Sequence, residues 1–389
     1  MIRSRPHRAL WPALLLTAAV VVSGCGALGI EGGQTAATTT TAVPVALTAV
    51  PIPGAVDVPV DTPVTISVTE GTLSGVAVSS PAGAVAGTLN PAATAWASTG
   101  TLMPSTTYQV AATLVDSAGG STPSQWQFVT GAPAAVFKAT LSPGDDATVG
   151  VGMPVVVKLS APVAPAARAA FIKRLTVTST PAQKGAWRWF SDKELHWRPA
   201  VYWAAGTKVT VKAAIAGYDA GGGAWGVKDV STTYAIGDAH VSKVDTQTHQ
   251  MAVTDNGTVV KMFGVSTGNA KYPTKSGIHV TNEKLKTTTM DSATVGIPRN
   301  SPDGYYETVE WNVRISNSGE FVHSAPWSVG SQGRANVSHG CVNASPSDAE
   351  WFYNFSQTGD VVEVVGSPEQ LQPTNGIGDW QIPWATWAN

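Results

Sequence analysis

Cys341 lies in the segment with the greatest potential for chemistry, residues 336–343, which reads Asn-Val-Ser-His-Gly-Cys-Val-Asn. His339 is in the same segment, and His323 occurs earlier in the motif Phe-Val-His-Ser-Ala-Pro-Trp. A thiol is mostly protonated at neutral pH, so a nucleophilic cysteine needs a nearby imidazole or another positive field. The pattern therefore predicts Cys341 as a nucleophile and His323 as its base.

The residues around these two side chains suit that chemistry. His323 ends a strand-like alternating run and is followed by a proline-containing turn, after which a loop over residues 328–335 returns the chain to the cysteine. Gly340 permits close approach of the backbone. The successive N–H groups of Gly340 and Cys341 are candidates for an oxyanion hole.

The N-terminus has the pattern of an export signal. Arg3, Arg5 and Arg8 precede an apolar run over residues 9–22, which is too short to span a bilayer core as a helix. Residues 22–25, Val-Ser-Gly-Cys, resemble a bacterial lipobox, in which Cys25 is lipidated and becomes the new N-terminus. This pattern predicts a protein anchored by lipid to the outer face of the plasma membrane, in the cell envelope. An uncleaved membrane anchor is the alternative.

Only two cysteines occur, Cys25 and Cys341. If Cys25 carries lipid, Cys341 is a solitary thiol in an oxidising compartment, where an unused thiol is a liability. A lone cysteine is otherwise most often a small buried apolar residue. The neighbouring motif favours a functional thiol.

The composition favours strands over helices. Charged residues make up 13% of the chain, the formal charge is −2, and the sequence contains 39 Gly and 26 Pro. Such a balance predicts a mainly β protein with several domains. It gives no basic patch for nucleic acid.

We divide the chain into six parts by composition and by the spacing of apolar segments. They are a signal peptide (1–24), a lipidated cysteine with a flexible tether (25–49), an immunoglobulin-like domain (50–131), a second one (132–236), a β-rich catalytic domain (237–366) and a Trp-rich extension (367–389).

One helix is expected in the catalytic domain, directly after the nucleophile. Ser345 is a good N-cap, Pro346 suits the first helical position, and an acidic residue follows in the first turn. Trp351, Phe352 and Phe355 would form its buried face.

Outside the catalytic domain, the sequence offers no clear chemistry. The tryptophans at 126, 187, 189, 197 and 203 are expected in the sandwich cores rather than in carbohydrate sites. Asp219 among glycines indicates a tight turn and a poor cation site. Neither a metal nor another cofactor is predicted.

The motifs resemble those of the L,D-transpeptidase (YkuD-type) family, whose signature is a His, a spacer, and Ser-His-Gly-Cys followed by Asn. All are present: His323, Ser338, His339, Gly340, Cys341 and Asn343. The whole chain is similar to actinobacterial, mycobacterial-type lipoproteins of this family, which carry two immunoglobulin-like domains.

The resemblance implies that the protein acts on peptidoglycan tetrapeptide stems, both as donor and as acceptor. Cys341 would attack the bond between meso-diaminopimelate and D-Ala, release D-Ala and form a thioester, which a second diaminopimelate amine resolves into a 3-3 cross-link. Carbapenems would acylate the same thiol. The resemblance makes His323 the base, the Ser324 carbonyl the group that orients its ring, and His339 and Gly340 further catalytic residues. It also implies six substrate-binding candidates: Tyr305, Ser318, Gly319, Trp327, Ser338 and Asn343.

The sequence departs from the family at Val295, where close relatives can carry Tyr. The lid over the acyl pocket is therefore expected to differ here.

Three other functions are alternatives to the transpeptidase. An L,D-carboxypeptidase would use the same thioester and let water resolve it, and acceptor choice depends on cleft shape. A non-catalytic cell-wall-binding lipoprotein would explain the sandwiches but not the His323 to Cys341 segment. A sortase would need an Arg after the cysteine, and no Lys or Arg follows Arg334.

Overall fold

The computed structural model describes residues 44–389, so the predicted signal peptide and Cys25 lie outside the described part of the chain. The described residues form three β-rich units and a short C-terminal extension, and the mainly β expectation is confirmed. No helix among residues 44–389 is long and apolar enough to cross a membrane.

The first unit is a sandwich of two four-stranded sheets, ordered β1-β2-β6-β5 and β4-β3-β7-β8. On β7, alternate side chains from Tyr108 to Leu114 are buried, because successive residues of a strand point to opposite faces. The strands are β1 (Ala46–Val50), β2 (Thr65–Thr69), β3 (Gly71–Ser80), β4 (Gly83–Ala84), β5 (Gly87–Leu89), β6 (Ala95–Ser98), β7 (Thr107–Asp116) and β8 (Ser121–Val129).

This sandwich starts earlier than the sequence indicated. Residues 25–49 were expected to be a tether, but β1 pairs antiparallel with β2, from Ala46 opposite Thr69 to Val50 opposite Thr65. The prediction was wrong here because it relied on the scarcity of large apolar residues. The small residue Ala49 is nevertheless buried in this strand.

The second unit is another sandwich, with sheets ordered β10-β12-β15-β14 and β11-β18-β16-β13 and a small parallel pair, β9 and β17. Trp197 and Trp203 stack within its core, as expected, and Asp219 caps a tight turn by accepting a hydrogen bond from Gly221 N–H. Its elements are β9 (Ala135–Phe137), β10 (Ala139–Ser142), β11 (Thr148–Val149), β12 (Val155–Leu159), α1 (Arg168–Ile172), β13 (Leu175–Thr180), β14 (Gly185–Trp189), β15 (Glu194–Pro199), β16 (Lys208–Ala213), β17 (Ala224–Gly226) and β18 (Val230–Ile236).

The third unit carries the candidate chemistry and has two sheets, ordered β21-β20-β19-β27-β22 and β23-β24-β25-β26. Strands β19 and β20 form an antiparallel hairpin. The elements are β19 (His240–Asp245), β20 (Gln250–Asp255), β21 (Thr258–Gly264), β22 (Gly277–Val280), β23 (Glu283–Asp291), β24 (Tyr306–Arg314), β25 (Phe321–Ser324), β26 (Val342–Ala344), α2 (Pro346–Phe355) and β27 (Val361–Val365).

Helix α2 follows the cysteine as the sequence predicts. The Ser345 side chain accepts a hydrogen bond from Asp348 N–H, and Pro346 occupies the first turn. Phe352 is buried, and Trp351 and Phe355 pack against the same core from partly exposed positions. The helix thereby covers the sheet that carries β25 and β26.

The second sandwich and the catalytic unit are in direct contact. The N–H groups of Gly150 and Gly152 donate to the carbonyls of Thr358 and Gly359, at 2.9 and 2.8 Å. A Cβ on Gly150 would lie 2.2 Å from the backbone nitrogen of Asp360, so no side chain fits at this position. The contact therefore brings backbone directly against backbone.

The extension, residues 367–389, ends in α3 (Trp384–Trp387) and binds the second sandwich through two buried side chains of β15. Arg198 donates to the Ile382 carbonyl at 2.6 Å, and its guanidinium lies over the rings of three tryptophans. Their centroids are 4.5 to 5.4 Å away, and desolvated cation–π contacts of this kind contribute about 2 kcal/mol. The tryptophans are Trp380, Trp384 and Trp387.

The second buried side chain is His196. Its Nδ1–H donates to Asp379 at 2.8 Å, and its Nε2–H donates to Glu194 at 2.9 Å. Burial alone would lower the pKa of His196, but the two carboxylates outweigh it and raise this pKa to about 9. His196 is therefore an imidazolium that joins the sandwich to the extension.

This pair makes stability depend on pH. The pKa of His196 is higher in the folded state than the ordinary value of 6.5, so its contribution is complete below pH about 6.5 and is lost as pH rises through about 9. We expect the free energy of unfolding to fall by up to about 3 kcal/mol across that window. Urea denaturation at a series of pH values measures it. His196→Gln should lack this dependence, and equal pH dependence in both proteins would contradict the assignment.

Candidate functional site

Strands β25 and β26 bring the candidate nucleophile and base together. They pair in parallel, with Val322 opposite Val342 and His323 opposite Asn343. Cys341 directly precedes β26 and lies level with Phe321, two residues before His323, so its side chain is on the same face of the sheet as His323. Both side chains line one cavity of about 260 Å³.

His323 is held in a defined orientation and tautomer. Its Nδ1–H donates to the Ser324 carbonyl at 2.9 Å, which leaves Nε2 as the free acceptor. Burial lowers the pKa of His323 to about 4, although the contacts with Ser324 and Asn343 act in the opposite direction. The ring is therefore neutral at physiological pH and able to accept a proton.

Cys341 is partly accessible to solvent at the edge of this cavity. Its Sγ–H donates to the Gly319 carbonyl at 3.5 Å. Desolvation raises the pKa of the thiol to about 12, and the nearby Glu320 carboxylate acts in the same direction. The resting pair is a neutral thiol and a neutral imidazole, rather than the thiolate that the sequence argument favoured.

Of the two N–H groups expected to form the oxyanion hole, that of Gly340 is already hydrogen-bonded within the protein. Gly340 N–H donates to Ser338 Oγ at 3.1 Å, and Ser338 Oγ–H donates to the Cys341 carbonyl at 2.6 Å. Within residues 44–389, Cys341 N–H has no hydrogen-bond acceptor. The Ser338 hydroxyl thus holds the turn, and Cys341 N–H is the donor left for a developing oxyanion.

Gly340 has a φ of 119°, in the region that favours glycine. The Thr274 hydroxyl donates to its carbonyl at 2.7 Å. The cysteine is therefore presented by a turn that is fixed on both sides.

His339 lies between two tyrosines. Its ring centroid is 5.0 Å from that of Tyr272 and 5.1 Å from that of Tyr305. It lines both the cavity that contains Cys341 and a neighbouring one of about 320 Å³. The position suits a contact with bound substrate better than proton transfer to the thiol.

The other substrate-binding candidates are divided among three places. Tyr305, Trp327 and Asn343 line the cysteine cavity, and Trp327 is 56% exposed. Ser318 lines the neighbouring cavity. Gly319 lies beside the thiol.

A lid connects β23 to β24 over these cavities. It contains a short 3-10 turn, Ser292–Val295, that begins at Asp291, and Asp291 pairs with Arg299 through both carboxylate oxygens. Val295 is 42% exposed, and its Cγ1 lies 3.2 Å from the Cβ position of Gly319. The residue at which this sequence departs from the family thus lies directly over the turn beside the thiol, at Gly319.

The sequence did not predict several residues at the neighbouring cavity, among them Tyr272, Glu320 and Glu369 in its lining and Asn375 beside it. Glu320 and Glu369 line the cavity, and Asn375 hydrogen-bonds with Ser318. Glu320 is buried and directly precedes the strand of His323. An acidic residue next to this predicted strand was a usable signal in the sequence. Asn375 and Glu369 gave none, because they come from the extension.

One group of side chains in the described chain has the arrangement of a cation site. Possible ligand atoms of Asp238, His240 and Asp255 lie within 4.8 Å of one another. The Asn256 amide donates to Asp238 and Asp255 at 3.1 and 3.0 Å, and His240 Nδ1–H donates to Asp360 at 3.1 Å. These hydrogen bonds account for the group without an ion.

Comparisons with known proteins agree with this geometry. Residues 55–219 match a bacterial Ig domain family, and residues 239–364 match the L,D-transpeptidase catalytic domain family. The chain is 39% identical to L,D-transpeptidase 2 of Mycobacterium tuberculosis, over 99% of this chain and 96% of the relative. It is 36% identical to L,D-transpeptidase 5 of the same species, over 88% and 76%.

Two solved structures resemble the chain over 58% of its length and 97% of theirs. One is LdtMt1 in complex with imipenem, at 38% identity and a TM-score of 0.52. The other is L,D-transpeptidase 3 from M. tuberculosis with a faropenem-derived adduct, at 34% identity and a TM-score of 0.51. With a full-length relative at 39% identity and a cysteine site of this geometry, the chain belongs to the L,D-transpeptidase family.

Proposed function

We propose that this protein forms 3-3 cross-links in peptidoglycan by joining the diaminopimelate residues of two tetrapeptide stems through a thioester on Cys341. The observation that carries the proposal is the cavity shared by the Cys341 thiol and the neutral His323 ring, whose Nε2 is free to accept a proton.

In the first half of the reaction, Sγ of Cys341 attacks the carbonyl carbon between diaminopimelate and D-Ala. The thiol proton moves to His323 Nε2, and the oxyanion is stabilised by Cys341 N–H. The C–N bond then breaks, and the D-Ala amine leaves with the proton from Nε2. The thioester remains on Cys341.

In the second half, an amine from another stem attacks the thioester and gives its proton to His323 Nε2. The C–S bond breaks, and the proton returns to the sulfur. Because both amines exchange a proton with His323, both must occupy the cysteine cavity. Its apolar wall, with Met290, Val309 and Trp327, suits the aliphatic arm of the entering diaminopimelate.

The same thiol is proposed to react with carbapenems. The β-lactam carbonyl would take the place of the stem carbonyl beside Cys341 N–H. The complexes of two relatives with imipenem and with a faropenem-derived adduct support this proposal.

We also propose that Cys25 carries lipid and that the enzyme works from the outer face of the plasma membrane. The signal pattern and lipobox support the anchor. The two sandwiches would then set the distance between the membrane and the cross-linking site.

The transpeptidase is tested by mass spectrometry of residues 44–389 incubated with disaccharide-tetrapeptide. Wild type should give a dimer with loss of one D-Ala, and Cys341→Ala should give none, because no other thiol exists in this part of the chain. Tripeptide monomer alone would indicate a carboxypeptidase. Unchanged substrate would favour a cell-wall-binding protein.

The pH dependence tests the neutral pair. His323 is neutral above pH about 4 and the thiol is protonated below pH about 12, so acylation by imipenem should be nearly constant from about pH 6 to 8. His323→Gln should lower the rate by about 10²–10⁴-fold. Stopped-flow or mass-spectrometric acylation rates measure both. A tenfold rise in the acylation rate per pH unit in that range would instead show attack by a thiolate that forms by losing its proton to solvent.

The anchor is tested by fractionation of an actinobacterial host that expresses the full chain. Wild type should be recovered with membranes, and Cys25→Ser should be soluble or remain an uncleaved precursor, because no diacylglyceryl group can be attached. A mature Cys25→Ser protein that stays in the membrane fraction would refute lipid anchoring.

A further inference from the structure

The cavity next to the cysteine cavity has a charged lining and is partly built by the C-terminal extension. Lys271, Lys275, Glu320 and Glu369 all line it, together with Ser318, His339 and Gly340. Because Gly340 adjoins the nucleophile, a group bound there would be close to the acyl carbon on Cys341.

Most of these charges already have partners. Lys275 lies 3.6 Å from the buried Glu320, whose carboxylate also accepts the Lys275 N–H at 3.0 Å. Lys271 pairs with Asp303. Glu369 has no ion pair within the described residues and is exposed. Its carboxylate is therefore the charge available to a ligand.

The extension is fixed at this cavity by hydrogen bonds. Ser276 N–H donates to the Glu369 carbonyl at 2.7 Å, and Leu371 N–H donates to the Ser276 carbonyl at 2.8 Å. Asn375 then holds Ser318 twice: its Oδ1 accepts the Ser318 N–H and its Nδ2 donates to Ser318 Oγ, both at 2.8 Å. Ser318 Oγ in turn lies 3.4 Å from Glu320. Asn375 thus positions the wall of the cavity.

The proposed mechanism determines which part of the substrate this cavity would hold. The leaving and entering amines both need His323 and occupy the cysteine cavity. The acyl residue then extends away from the two amines, along Gly340 and Ser318, which line the charged cavity. Its side chain ends in a carbon that carries both an ammonium and a carboxyl group.

We infer that the charged cavity binds the side-chain end of the diaminopimelate residue of the donor stem, with Glu369 contacting its ammonium group and Asn375 acting as a positioning residue through Ser318. This inference rests on the proposed transpeptidase function and deepens it: the C-terminal extension becomes part of the donor site.

The test compares two donors in single-turnover release of D-Ala: disaccharide-tetrapeptide with a free side-chain amine and the same compound acetylated on that amine. Wild type should have a donor KM about three- to fivefold lower for the free amine, as expected for one exposed ion pair. In Glu369→Gln this preference should disappear. Glu350→Gln, an exposed acid on α2, is the matched control and should keep it.

Asn375→Ala should raise the donor KM about fivefold through loss of the two hydrogen bonds to Ser318. In Asn375→Asp the donor KM should stay close to that of wild type, because an Oδ atom still accepts the Ser318 N–H. The midpoint of thermal unfolding of these variants should stay close to that of wild type, which excludes general damage to the fold.

A Glu369→Gln enzyme that keeps the full preference for the free amine would overturn the inference. The preference would then come from steric exclusion of the acetyl group and not from an ion pair with Glu369. Failure of the proposed function is distinct: wild type would then release no D-Ala from either donor.

Discussion

The parallel pairing of β25 with β26 is the constraint on which the rest of the site depends. It places His323 opposite Asn343 and brings Cys341 to the same face of the sheet, level with Phe321. Two parallel strands require a long crossover connection, and here the connection is the loop that contains Trp327 and Ser338. The segment that joins base to nucleophile thus also supplies part of the cavity wall. A shift by one residue would turn His323 to the opposite face.

Burial has opposite consequences for the two reacting groups. It raises the pKa of the thiol and lowers that of the imidazole, so charge separation in the resting enzyme is disfavoured. The thiol is thereby protected from indiscriminate oxidation, since the thiolate is the reactive form. In the proposed mechanism, charge develops when a substrate carbonyl is in place beside Cys341 N–H.

The extension connects parts of the molecule that the order of domains separates. Its tryptophans enclose Arg198 of the second sandwich, while Asn375 binds Ser318 at the edge of the charged cavity. Asp379, which pairs with the buried His196, lies between Asn375 and these tryptophans along the chain. The second sandwich is therefore more than a spacer, because it holds the segment that completes the wall of the charged cavity.

The local pattern of the sequence was sufficient to predict helix α2 and two sandwiches, both of which the structure contains, because each depends on neighbouring residues or on strand periodicity. The same local pattern predicts Cys341 as nucleophile and His323 as base, and the structure places both side chains in one cavity. The start of the first sandwich was misplaced, since burial of the small side chain of Ala49 depends on the partner strand. Only tertiary structure shows that Gly340 N–H is already used by Ser338 or that the resting thiol is protonated. It alone brings Glu369 and Asn375 to the site, because contacts between residues distant in sequence follow from packing and leave no local periodicity to detect.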